Sequence, residues 1–203
     1  MADWYQTAPA NASSPSQEDK ALPFQSRRSP VLCRTACVAS SQPLATAIGY
    51  DCLRRGANAA ETAIAVAAAL AVTEPCSTGL GGDAFLLHYH ASDRTVTCCN
   101  GSGQSPAGLC LDTVRQLHSR TTDTTTTSKT PADVSTAFRD SPLAVTVPGA
   151  AQLWDDTLRL YGSGQFTLRE LLEPAAQLAE QGFPVAPVTA HHWTAGLPQI
   201  QKW

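Results

Sequence analysis

The sequence has 203 residues, 43% of them hydrophobic and 15% charged, so it is long and apolar enough to bury a core. The formal net charge is −3, and no basic patch of the kind that a nucleic-acid partner requires is present. The longest apolar run, residues 59–72, is too short to span a bilayer and contains Glu61, which argues against a membrane segment.

Residues 1–30 are polar, rich in Pro, Ser and Gln, and without periodicity, which predicts a disordered tail. They contain no apolar core of a signal peptide, so a cytoplasmic location is expected. Residues 31–203 are expected to form one domain, interrupted at 119–141 by a threonine-rich, low-complexity insertion.

The chain contains seven cysteines, an odd number. Cys33 and Cys37 are spaced as C-x₃-C, but no matching His or Cys pair follows at metal spacing. We expect mostly free thiols in a reducing compartment, with a disulfide as the alternative. No metal and no cofactor are predicted.

Two helices open the expected domain. Residues 43–55 are predicted to form the first, with Ser41 as N-cap and Gly56 just past its end. Asn58 and Glu61 form a capping-box pattern at the start of the second, residues 59–73. This second helix is apolar almost all round, which predicts that it is the central packing helix.

A glycine-rich turn follows, in the stretch EPCSTGLGGDAF at residues 74–85. Gly79, Gly81 and Gly82 permit a positive φ or a close backbone approach that side chains forbid. The turn is interpreted either as backbone passing tightly beneath a pocket or as a tight connection with no ligand.

A β-hairpin is predicted next, from strands at 85–90 and 95–99 around a four-residue turn. His88 and His90 alternate with apolar residues and share one sheet face. They are either a partial metal site or part of a polar face. A second glycine-rich loop, residues 100–108, follows the hairpin directly.

Beyond this loop, residues 109–118 are predicted to form a short helix and residues 143–150 a strand. A helix at 150–161 carries an apolar stripe typical of a core-facing side.

Thr167 and Glu170 then form a second capping-box pattern that opens a further helix. Pro174 marks a kink or a new helix start, and Gly182 ends the pattern.

Four stretches, in order, resemble one family of enzymes: residues 43–85, NGSGQSPA at 100–107, VTVPGAAQLW at 145–154, and residues 171–185. Together they are similar to the large-subunit side of γ-glutamyltransferase (glutathione hydrolase), an N-terminal-nucleophile hydrolase. The NGSG form resembles the bacterial-type, soluble branch of that family.

The resemblance implies an α/β (α+β) fold, here the large-subunit part of a four-layer αββα sandwich. It also implies a precursor that cuts itself, so a small-subunit segment of that precursor is the expected partner. The expected substrate is a small-molecule γ-glutamyl amide such as glutathione. An N-terminal threonine attacks the amide, its own amine acts as base, and the acyl group passes to water or an amino acid.

No catalytic residue is expected within this chain, because the family's threonine-threonine-histidine run is absent and the threonine-rich stretch 121–130 lacks the histidine. The resemblance places Gln104 where the family has an arginine that holds the substrate carboxylate. Glutamine brings no charge and loses the bidentate geometry. Gln104 and Ser102 are the candidate substrate-binding residues, and a solvated loop is the alternative for Gln104.

Two classes of function follow. In the first, the chain is an enzyme component that is inactive alone and becomes active with its small subunit. In the second, it is a truncated, non-catalytic paralogue or a binding fragment. A related option, favoured by Gln104, is an amidase or acylase of different acyl specificity.

Overall fold

The computed structural model describes residues 29–114, 116 and 142–201, without the side chains of 142, 199 and 200. Within these residues it contains five helices, a two-stranded antiparallel sheet, a helical turn at 111–114 and a 3₁₀ helix at Pro142–Ala144. The elements are, in order, α1 Pro43–Arg54, α2 Ala59–Thr73, β1 Ala84–His90, β2 Thr95–Gly101, α3 Gly149–Tyr161, α4 Leu168–Gln181 and α5 Pro187–Ile200. The predicted tail, except for residues 29 and 30, and the insertion at 119–141 lie outside the described residues.

Helix α2 is the centre of the core, as predicted. Ala65 and Ala69 are fully buried and Ile64 nearly so, and α1, α3 and α4 all pack against this helix. Its many alanines lack long side chains, so neighbouring backbones approach closely. Gly49 of α1 lets the two helices approach in the same way, because a Cβ there would lie 2.5 Å from a methyl group of Val66.

The start of α2 is tied to the loop after α3 by Glu61, whose side chain is completely buried. Asn58 Oδ1 accepts a hydrogen bond from the Glu61 backbone at 2.9 Å, and Glu61 Oε2 accepts one from the Asn58 backbone at 2.8 Å. The predicted capping box is therefore confirmed. The other oxygen, Oε1, accepts from both the backbone N–H and the hydroxyl of Ser163.

The hairpin is confirmed, with both strands slightly longer than predicted. Leu86 pairs with Cys99 and His88 with Thr97 in antiparallel register. Helix α3 packs against both strands, and the Tyr161 ring stacks on His88 with centroids 4.3 Å apart.

The opposite face of this sheet is apolar and open. We call the side chains of Phe85, Leu87, Tyr89 and Val96 the outer sheet face; between 59% and 75% of each is exposed. A two-stranded sheet is marginally stable on its own, and one with an uncovered apolar face normally packs against further protein.

Helix α1 begins differently from the prediction. Gln42 is the N-cap residue, without a side-chain cap, whereas the predicted cap, Ser41, donates its hydroxyl to the Glu74 carboxylate. The Ser41 side chain, which could have capped the helix, therefore binds the Glu74 carboxylate from a distant part of the sequence instead. The predicted end is confirmed, since Gly56 has a φ of 96°.

The predicted strand at 143–150 is wrong. Pro142–Ala144 is a 3₁₀ helix, and residues 145–148 have no regular structure. A strand needs a neighbouring ladder, and here Val147 donates one backbone hydrogen bond to the Gln104 carbonyl at 3.0 Å. Alternating apolar residues in a sequence do not reveal whether a partner strand lies beside them.

The last two helices partly match the prediction. The Thr167–Glu170 capping box is present, and Gly182 ends α4 with a φ of 78°. Pro174 lies inside one uninterrupted helix rather than starting a new one. Helix α5 was not predicted; Gln42 of the α1 cap donates to Thr189 of this helix at 2.9 Å.

Candidate functional site

The second glycine-rich loop lies directly on the chain that enters α3. Its first five residues, 100–104, are called the glycine loop. A Cβ at Gly103 would strike the Val147 carbonyl and the Thr146 hydroxyl. A Cβ at Gly149, the first residue of α3, would strike the Gly101 carbonyl. The Val147 and Gly101 carbonyls are backbone groups that cannot move cheaply, so the loop and the helix start fix each other's positions.

Asp83 holds the glycine loop from the other side. Its Oδ1 accepts a hydrogen bond from the Gly103 backbone at 2.6 Å, and its Oδ2 accepts one from the Ser102 hydroxyl at 3.5 Å. The neighbouring Gly82 carbonyl accepts from the Ala150 backbone at 2.9 Å. The end of the first glycine turn therefore fastens both the loop and α3.

At the glycines of the first turn, the described residues show neither a positive φ nor a close backbone approach. A Cβ at Gly79 or Gly81 would meet no atom of the described residues within 4 Å, and at Gly82 the nearest atom is 3.7 Å away. None of the three has a positive φ. The close approaches occur instead at Gly101, Gly103 and Gly149, where a Cβ would meet a backbone carbonyl and, at the first two, a side chain as well.

A cavity of about 420 Å³ lies between the glycine loop and α3. The loop contributes residues 100–104, including both Ser102 and Gln104, and residues 147–149 also line the cavity. The helix contributes Gln152, Asp156 and Arg159 with the apolar Leu153 and Leu160. The two candidate residues from the sequence are thus brought together at one cavity.

Two opposite charges form the helical wall of this cavity. Arg159 Nη2 donates to Asp156 Oδ1 at 2.7 Å, and 66% and 33% of the two side chains are exposed. The hydrogen bond from Arg159, and after it one from Gln152, lower the pKa of the Asp156 carboxyl. The hydrogen bond to Asp156 in turn raises the pKa of Arg159, so the pair is fully charged at neutral pH.

The sequence reasoning missed this wall. Gln152, Asp156 and Arg159 are spaced i, i+4, i+7, so they share one stripe of α3. The spacing was readable in the sequence. The apolar stripe beside it was interpreted as the core-facing side of the helix. The polar stripe was passed over because a polar helix stripe is usually solvated. Asp83 was missed because a single Asp before a strand gives no signal of what it binds.

The two strand histidines contact residues outside this cavity. His88 stacks on Tyr161, and His90 Nδ1 lies 3.1 Å from the Asp93 carboxylate in the hairpin turn. Within the described parts of the chain, no group of three His, Cys, Asp or Glu side chains could hold a metal ion. The threonine-rich stretch 121–130 lies outside the described residues.

A model of the gamma-glutamyltranspeptidase family matches residues 45–203, which is most of the chain. The chain belongs to the gamma-glutamyltranspeptidase family. It is 36% identical over 155 residues to the glutathione hydrolase-like YwrD proenzyme of Bacillus subtilis (strain 168). That match covers 76% of this chain and 26% of the relative. The chain therefore spans about a quarter of the length of the curated relatives it matches.

Solved structures of gamma-glutamyltranspeptidases and a related acylase have the same fold over this part. The gamma-glutamyltranspeptidase of Helicobacter pylori matches with a TM-score of 0.69 at 25% identity, over 86% of this chain and 46% of that one. The cephalosporin acylase of Bacillus halodurans matches with a TM-score of 0.66 at 33% identity, over 90% of this chain and 32% of that one. The helices and hairpin are thus part of the N-terminal-nucleophile hydrolase fold of the gamma-glutamyltranspeptidases.

None of the helices in the described residues is both long and apolar enough to cross a membrane.

Proposed function

We propose that this chain is the large-subunit part of a γ-glutamyl acyltransferase that hydrolyses γ-glutamyl amides such as glutathione. Its partner in this proposal is a small-subunit segment of the same precursor. Membership of the family and the relative named as a proenzyme support this assignment. The observation that supports the proposed site is the cavity that Ser102 and Gln104 of the glycine loop line together with residues of α3.

In the proposed reaction the small subunit supplies an N-terminal threonine. Its hydroxyl oxygen attacks the γ-carbonyl carbon of the substrate while its α-amine takes the hydroxyl proton. The tetrahedral intermediate collapses, the amine leaves with that proton, and an ester with the γ-glutamyl group remains. Water or an amino acid then attacks the ester and releases the threonine.

The large-subunit chain positions the acyl group in this scheme and carries no reacting atom. The glycine loop is suited to this task because Asp83 and the α3 entrance hold its backbone rigidly. A preformed wall lowers the entropic cost of ordering a small substrate.

The outer sheet face and the outer edges of the hairpin support the proposed partner. The hairpin strands pair with each other and with no further strand among the described residues. Another sheet layer against Phe85 and Leu87 would cover apolar surface that is now 70% and 75% exposed. The small-subunit segment is the proposed source of that layer.

We place this protein in the cytoplasm. All seven cysteines are free thiols, which suits a reducing compartment.

A second candidate function is an acylase that accepts acyl groups other than γ-glutamyl. The similarity to the cephalosporin acylase of Bacillus halodurans and the uncharged Gln104 favour it. The two candidates differ in whether the α-amino and α-carboxylate groups of the acyl chain are needed.

The test compares the 203-residue chain with a precursor completed by a small-subunit segment, using γ-glutamyl-p-nitroanilide. We expect no turnover by the chain alone and turnover by the completed, self-cleaved precursor. Glutaryl-p-nitroanilide, which lacks the α-amino group, is the matched second substrate; its preferential hydrolysis would favour the acylase. Robust turnover by the chain alone would refute the proposal that its nucleophile lies elsewhere.

A further inference from the structure

Asp83 ties the middle of the glycine loop to the start of the hairpin. Its backbone lies immediately before Ala84, which opens β1 and pairs with Gly101 in the sheet register. From there the side chain reaches past the end of β2, where Oδ1 accepts the Gly103 N–H at 2.6 Å and Oδ2 the Ser102 hydroxyl at 3.5 Å. A carboxylate makes stronger hydrogen bonds than a neutral acceptor, and the short bond to Gly103 is the main attachment.

Two other hydrogen bonds of the loop have a different character. Asn100 Oδ1 accepts the Ser102 N–H at 2.9 Å within the loop, and the Gln104 carbonyl accepts the Val147 N–H at 3.0 Å between two backbones. Asp83 differs from both, because it is a side chain from another segment. It can therefore be changed without altering the loop itself.

Asp83 stands behind the loop and is not among the described residues that line the cavity. The two residues that it holds, Ser102 and Gly103, do line the cavity, and so does Gln104, the next residue along the chain. Asp83 therefore acts on a ligand in the cavity through the position of the loop and not by contact.

The length of the Asp83 side chain is matched to the gap that it bridges. On its other side the loop is packed against the chain that enters α3, since a Cβ at Gly103 would strike the Val147 carbonyl. One more methylene group at position 83 would push the loop against that chain, and a side chain without an oxygen would leave the Gly103 N–H without its acceptor.

We infer that Asp83 is a positioning residue, which sets where the glycine loop places Ser102 and Gln104 beside the substrate. The inference rests on the proposed function and assigns no reacting atom to Asp83. What the loop requires is an acceptor oxygen at the reach of an aspartate side chain. The negative charge strengthens the bond to Gly103 and is not itself the requirement.

The first measurement is amide hydrogen exchange of the 203-residue chain, read by mass spectrometry from overlapping peptides that cover the glycine loop. Asp83→Ala should speed exchange at Gly103 about tenfold, as for the loss of one hydrogen bond to a charged group, while the helices keep their protection. Asp83→Asn keeps an acceptor at the same reach and should stay within about threefold of the parental rate. Asp83→Glu keeps the charge at the wrong reach and should exchange faster than Asp83→Asn.

The second measurement is the steady-state KM and kcat of the completed precursor for γ-glutamyl-p-nitroanilide. The loop contacts bound substrate and transition state alike, so Asp83→Ala should raise KM about tenfold and leave kcat within about twofold of the parental value. A merely structural loss would lower the amount of folded enzyme, which lowers the apparent kcat and leaves KM unchanged.

Asp93→Ala is the matched control for both measurements. Asp93 also accepts a backbone N–H and a hydroxyl, both from Thr95 in the hairpin turn, and it is not among the described residues that line the cavity. Its loss should change neither the exchange of the glycine loop nor KM.

The inference is overturned if Asp83→Ala and Asp93→Ala give the same loop exchange, if Asp83→Glu preserves the parental values better than Asp83→Asn does, or if Asp83→Ala lowers kcat with KM unchanged. Failure of the proposed function has a different signature. A completed precursor without γ-glutamyl turnover would refute that function, while loop exchange in the 203-residue chain would still decide whether Asp83 positions the loop.

Discussion

At the loop–helix junction, three glycines let two segments of the chain come into contact because each lacks a side chain. Gly101, Gly103 and Gly149 each occupy a place where a Cβ would strike the facing segment. The glycines of the preceding turn have open space around them. A larger residue would thus clash at the junction, whereas it would meet no close neighbour at the turn.

Gly103→Ala should destabilise the chain by about 1–3 kcal/mol, the usual cost of forcing an extra group into a packed place. The added methyl meets the Val147 carbonyl and the Thr146 hydroxyl, and the backbone carbonyl cannot rotate away. The measurement is the free energy of unfolding in urea.

Gly79→Ala is the matched control for this substitution. Gly79 has an ordinary φ and open space, so alanine should leave stability unchanged or raise it by up to about 1 kcal/mol through the unfolded state. Equal losses for the two variants would contradict the contact assigned to Gly103.

Gln104→Arg in a completed precursor should lower the KM for γ-glutamyl-p-nitroanilide about tenfold, because a guanidinium adds a charge-assisted, bidentate contact to a carboxylate. The measurement is the steady-state KM, with kcat recorded beside it. Gln177→Arg adds the same charge on the exposed side of α4, outside the cavity. If both variants give the parental KM, Gln104 does not face the substrate carboxylate.

At the scale of the helices, the two capping boxes differ in burial. Glu61 caps α2 from a fully buried position, and Glu170 caps α4 from an exposed one. Glu61 also accepts two hydrogen bonds from Ser163, which joins the start of the central helix to the end of α3. It therefore links α2 to the helix that carries Asp156 and Arg159.

Glu61→Ala should cost about 1–3 kcal/mol, because it removes a fully buried carboxylate and leaves the part-buried backbone donors of Asn58 and Ser163 without their acceptor. Glu170→Ala removes the same motif where water can replace the carboxylate, so its loss should be clearly smaller. Urea unfolding of both variants provides the comparison. A similar loss for the two would mean that burial adds nothing to the Glu61 cap.

At the scale of the whole chain, the uncovered surface of the sheet determines its behaviour in solution. Phe85, Leu87, Tyr89 and Val96 give the hairpin an apolar outer sheet face. An exposed edge and an apolar face of this kind favour association with other chains.

The isolated chain should therefore self-associate in size-exclusion chromatography with light scattering. Leu87→Lys should shift it toward the monomer by placing a charge on the outer sheet face. Tyr50→Lys, at a residue of α1 that is 61% exposed, is the control and should not. A clean monomer peak from the unaltered chain would contradict this prediction.

The sequence alone was sufficient for the family resemblance, because four stretches in the right order carry it. It was also sufficient for the hairpin, the central helix and both capping boxes, because each of these depends on residues close together in the chain. Local hydrogen bonds and periodicity determine such features wherever the rest of the chain lies. The same reasoning failed at 143–150, where a strand pattern without a neighbouring strand gives irregular backbone.

Only the tertiary structure decided what lies around the candidate site. Gln104 and Arg159 are more than fifty residues apart, and nothing in their spacing indicates that they line one cavity. The link from Asp83 to Gly103 and the contact of Gly149 with Gly101 likewise join distant segments. These contacts depend on how α3 packs across the hairpin, and packing of distant segments leaves no periodic signal in the sequence.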